Sequence, residues 1–97
     1  MEKYFKRVIR RLTDCGLSAH LLGTWYLADC CCYAAERVAA GEDYIPQRIA
    51  SLVAEWKGCT GFAIWARMQY ALEKAGQDVG VADFMRTVVR EVCKLEN

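Results

Sequence analysis

The stretch IPQRIASLVAEWKGCTGFAIWARMQYALEKA, residues 45–75, decides the fold. Ile49, Leu52, Val53 and Trp56 recur at intervals of three and four, the spacing of one buried face of an α-helix. Pro46 stands in the first turn, where its missing N–H has no intrahelical partner to lose. The pattern breaks at Lys57-Gly58-Cys59-Thr60, and Thr60 offers a hydroxyl that can accept from the free N–H groups opening a second helix. That helix is predicted over residues 60–75, with Ile64, Met68, Ala71, Leu72 and Ala75 facing the core. Phe62, Ala63, Trp65, Ala66, Gln69 and Tyr70 then face outward. Two helices joined by so short a glycine-bearing turn satisfy the pattern of a helix-turn-helix, a pattern other compact helical domains also contain.

Upstream, residues 2–14 place Tyr4, Phe5, Val8, Ile9 and Leu12 on one stripe, with Cys15-Gly16 as the stop. Ser18 is the expected cap of a second helix reaching about Ala40, where Gly41 ends it. Its apolar residues Leu21, Leu22, Trp25, Leu27, Ala28, Cys31, Cys32, Ala35 and Val38 cover more than half the circumference, which predicts a central helix packed on several sides. Downstream, Gly76–Gly80 reads as a loop. A last helix from about Val81 carries Phe84, Val88, Val89, Val92 and Leu95 at helical spacing. No segment alternates as a strand does. The expected class is all-α, a compact bundle of about five to six helices containing the helix-turn-helix, in one domain spanning 1–97.

Composition excludes several functions. Charges interrupt every apolar run before bilayer length, so no membrane is expected as a partner. The opening residues lack the apolar segment and cleavage site of a secretory signal, and a cytoplasmic location is expected. Six cysteines in a short chain would mean a disulfide scaffold in a secreted protein. Here Cys30-Cys31-Cys32 lie on a helix about 100° apart, so the thiols cannot converge on one metal or pair with one another. They read as buried reduced thiols, with redox or metal chemistry the alternative. No cofactor is expected. No enzyme is expected either, since paired carboxylates, a nucleophile–base set and a phosphate loop are all missing. Net charge is only +1, against the strongly basic balance usual for nucleic-acid binding. The charge is nevertheless segregated. Lys3, Lys6, Arg7, Arg10 and Arg11 make the first helix basic, while Asp29, Glu36, Glu42 and Asp43 make the following stretch acidic. The basic set is either a solvated face or a source of phosphate contacts.

The run Gly16-Leu-Ser-Ala-His-Leu-Leu-Gly-Thr-Trp-Tyr-Leu27 resembles the entry segment of the C-terminal DNA-binding effector domain of the sporulation master response regulators, the stage zero sporulation protein A family. The resemblance covers most of residues 5–95 and continues through Ile45-Pro46, Ala71-Leu-Glu73 and Asp83-Phe84; residues 32–44 match poorly. It implies a bundle of about six helices that recognises double-stranded promoter DNA and regulates transcription during sporulation. In the family this domain follows a phosphorylatable receiver domain; 97 residues cannot hold both, so an effector that stands alone is expected. His20, within the matched run, is expected to pack at the helix start, because a single imidazole with no partner at defined spacing makes no catalytic site.

The outward face of residues 60–75 is where this sequence departs from the family. Family members carry arginines and a glutamate at several outward positions, and here those positions hold Ala63, Trp65, Ala66 and Gln69. Arg67 falls where the family has a small inward residue. Gln69 can read an adenine and Phe62 can touch a thymine methyl, while Arg48, Lys57 and Lys74 can reach phosphates. The expected DNA-binding set is therefore Arg48, Lys57, Thr60, Phe62, Trp65, Gln69 and Lys74. The alternative is a degenerate helix-turn-helix without sequence-specific readout. In that reading Phe62, Trp65 and Tyr70 form an apolar interface for a protein partner or a homodimer.

Overall fold

Five helices carry residues 2–94, the part of the chain that the computed structural model describes: α1 (Glu2–Asp14), α2 (Leu22–Ala39), α3 (Pro46–Lys57), α4 (Gly61–Lys74) and α5 (Val81–Lys94). The all-α class is as expected, and no strand occurs among the described residues. The radius of gyration, 12.1 Å, is close to the ~12.5 Å that a folded domain of this length has. Leu95, expected on the buried stripe of the last helix, lies outside the described residues.

α2 is the axis of the bundle. It packs on all four other helices, most extensively on α4. Its consecutive residues Cys30, Cys31 and Cys32 are all fully buried, and three positions 100° apart can only be buried together if neighbours close in on several sides. The thiols are free, and burial beside Asp29 pushes those of Cys30 and Cys32 up to about 12. Cys31 is raised as well, first by burial and then by its two neighbours. Protonated thiols of this kind are small hydrophobes, which accords with the expected reading.

A close approach sets how α2 meets α4. A Cβ on Gly23 would lie 1.9 Å from the backbone oxygen of Arg67, so the two helices can touch here only because Gly23 has no side chain. Gly23 of the run at 16–27 is therefore a packing residue. Around this contact Leu27, Ala28, Ile64, Met68 and Leu72 are buried, and α5 closes the core with Val81, Phe84, Met85, Val88, Val89 and Val92.

Several local expectations are corrected. α2 begins at Leu22, and its N-cap Leu21 has no side-chain cap. Ser18 instead accepts from the backbone N–H of His20 at 3.1 Å, and its carbonyl accepts from Leu21, so residues 18–21 form a turn before the helix. His20 sits in that turn and is exposed, against the packing role expected of it. The indole of Trp25 pins the turn by donating to the Ala19 carbonyl at 2.9 Å. Trp25 is thereby drawn to the surface, and Leu22 and Val38 are also exposed. Trp56, expected on the buried face of α3, is 53% exposed. Its ring meets Tyr33 edge-on at 5.4 Å, and the small residues Ala50 and Ala54 take the buried face beside Ile49 and Val53.

Candidate nucleic-acid interface

The turn between α3 and α4 is built as its residues require. Gly58 takes the left-handed conformation (φ 71°), and the Cys59 N–H returns to the Ala54 carbonyl at 3.0 Å, closing α3. Thr60 then caps α4, its hydroxyl accepting from the Ala63 N–H at 3.1 Å. Gly61 brings the start of α4 onto α3, since a Cβ there would lie 2.8 Å from the Ser51 hydroxyl oxygen. The expected turn and cap are both present, and α4 is backed by α3 on one side and α2 on another.

The inward set of α4 is as expected, with Ile64, Met68, Ala71 and Leu72 fully buried and Ala75 half-buried. Outward, Phe62 is 86% exposed and Tyr70 52%, and Ala66 is exposed between them. Gln69 and Ala63 are half-buried. Trp65 departs from the outward set: it is half-buried and packs against the core. Its flank forms, with Phe62, Gly61, Gln47, Ala50 and Ser51, a shallow groove of about 350 Å³ between α3 and α4. Arg67 turns its side chain to solvent although its backbone lies against Gly23, so a long residue is accommodated at a position where the main chain is inward.

The expected phosphate-contacting residues divide. Arg48 is exposed on α3, at the edge of a second groove with Arg37, Tyr33, Tyr44 and Ile45. Lys74 is exposed at the far end of α4, its ammonium 6.0 Å from the Tyr70 ring centroid. Lys57 is engaged within the fold: its Nζ lies 3.1 Å from the carboxylate of Asp29, a side chain only 17% exposed. Sequence reasoning had no means of finding this pair, because the two residues are on different helices and neither spacing nor composition joins them. It also missed the ion pair between Arg11 and Glu91, where the guanidinium meets both carboxylate oxygens, Nη2 donating to Oε1 at 3.1 Å.

Among the described residues no group of three or more His, Cys, Asp or Glu side chains could hold a metal, and no helix is long and apolar enough to cross a membrane. Searches against family models, curated proteins and solved structures find no match to this chain.

Proposed function

We propose that this domain binds double-stranded DNA through α4 as a transcription regulator of the sporulation effector-domain type. The carrying observation is the outward ridge of α4. Phe62, Ala66 and Gln69 present one aromatic ring, one methyl and one amide in line, on a capped helix supported from behind by α2 and α3. Small residues at positions 63 and 66 allow the helix backbone to approach a groove floor, and an amide is the group that pairs bidentately with adenine in the major groove. Arg48 on α3 and Arg67 and Lys74 on α4 are exposed cations, suited to phosphates.

A second reading is favoured by one observation. Phe62 is the most exposed large apolar side chain among the described residues and borders a groove, which is also how a protein-docking anchor is presented. The two readings separate by fluorescence anisotropy of labelled duplexes, including family-type promoter sites, at low and moderate salt. DNA readout predicts sequence-dependent binding that falls steeply with salt. It also predicts about a tenfold loss for Gln69→Ala on the preferred site and a salt slope smaller by about one for Arg48→Ala. Absence of duplex binding by folded protein at low salt refutes it. Self-association or partner capture lost in Phe62→Ala would then establish the second reading.

A further inference from the structure

Lys6, Arg7, Arg10 and Arg11 of α1 and Lys94 of α5 line one groove of about 660 Å³. Two carboxylates, Asp14 and Glu91, share its wall, so the groove carries a local charge of about +3 in a chain whose net charge is +1. The aliphatic stems of the lysines and arginines make the rest of its surface, over Val92, which is only 2% exposed. α1 contacts α2 and α5 and has no contact with α3 or α4 among the described residues. The groove is therefore separate from the ridge of α4.

We propose that this α1–α5 groove is a docking site for an acidic, amphipathic segment of a protein partner. Charge complementarity names an anion, and the composition of the wall selects among anions. A guanidinium fork suits a planar carboxylate, and inside the groove Arg11 already pairs with the Glu91 carboxylate, Nη2 donating to Oε1. A phosphate strand carries a negative charge at every repeat and would meet Asp14 as well as the cations. A peptide can place a cationic or neutral residue opposite Asp14, carboxylates opposite Lys6 and Arg10, and an apolar side chain against the aliphatic stems of the lysines and arginines. This site does not depend on what α4 binds.

The test is anisotropy of a fluorescein-labelled helical peptide with glutamates on one face and leucines on the other, titrated with the whole chain at low and moderate salt. Binding should weaken severalfold as salt screens the pairs. The Lys6→Glu, Arg10→Glu double variant should weaken it by at least about tenfold, and both residues are exposed, so its circular dichroism should match the parent. Phe62→Ala should leave peptide binding unchanged. Three outcomes overturn the proposal: no binding at low salt, equal binding by the charge-reversed variant, or loss of binding in Phe62→Ala. Tighter binding of a short polyphosphate than of the peptide, abolished by the same charge reversal, would overturn it in favour of a phosphate-bearing ligand.

Discussion

Replacing Gly23 by alanine tests the central contact of the fold. The added Cβ would lie 1.9 Å from the Arg67 oxygen and 2.5 Å from its carbonyl carbon, both backbone atoms that cannot rotate away. Ordinary contact begins near 3.4 Å, so α2 and α4 must separate locally by roughly 1.5 Å. A gap of even 0.5–1 Å forfeits about a quarter to a half of the dispersion attraction across it. The buried residues bordering this seam, Leu27, Ala28, Ile64 and Met68, would lose contacts together. Forced overpacking typically costs about 1–3 kcal/mol, and a backbone clash belongs at or above the upper end. Alanine's better helix propensity returns at most about 1 kcal/mol. The net loss is then at least about 2 kcal/mol, a large fraction of the ~5–15 kcal/mol that stabilises a domain. It corresponds to a fall in Tm of about 8–16 °C at this chain length. The assay is thermal unfolding followed by far-UV circular dichroism, with Gly80→Ala as control. Gly80 has open space around it, and its substitution should stay within about 0.5 kcal/mol. A Gly23→Ala protein melting at or above the parent would show that α2 and α4 do not meet backbone to backbone, and the role assigned to the run at 16–27 would fail with it.

Alkaline stability should decline because of the buried thiols. Cys30 and Cys32 hold their protons up to about 12 when folded, whereas the unfolded thiols release theirs near 9, so unfolding releases protons above pH 9. Their contribution is fully present below pH 9 and is lost as pH rises towards 12, at about 1.4 kcal/mol per thiol per pH unit. Urea unfolding at pH 8 and pH 10 should differ by on the order of 3 kcal/mol, and a flat profile would contradict the burial of the run. Thr24 is 4% exposed and its hydroxyl has no hydrogen-bond partner among the described residues. Thr24→Val should accordingly raise stability by about 1 kcal/mol, and a lower Tm would reveal a partner for that oxygen. The two aromatic residues starting α4 should behave differently. Half-buried Trp65→Ala should lose about 2 kcal/mol, while exposed Phe62→Ala should leave the melt within about 0.5 kcal/mol and weaken binding at α4 alone. Equal effects on stability would mean that the register of α4 is misassigned.

Read alone, the sequence determined the helices of this protein. The period of Tyr4, Val8 and Leu12, the proline opening α3 and the Thr60 cap are local signals, and local hydrogen bonding and steric preference act on them before any tertiary contact forms. The breadth of the apolar arc on α2 likewise announced a central helix. What is exposed at the candidate site was legible only in part. Phe62 and Ala66 follow from the register of α4 alone, since they oppose Ile64 and Met68 around the helix. Trp65 and Trp56 do not, because a ring on the flank of a helix is covered or bare according to which neighbour lies beside it. Gln47, Ala50 and Ser51 of α3 lie beside Trp65, and nothing covers Trp56 fully beyond the edge of Tyr33. Only the tertiary structure decided that Lys57 is held by Asp29 and that the basic residues of α1 face Lys94 and Glu91 of α5 across one groove. Each of these depends on the angle and distance between elements far apart in the chain. For α2 and α4 that approach is held by the bare backbone of Gly23 against that of Arg67.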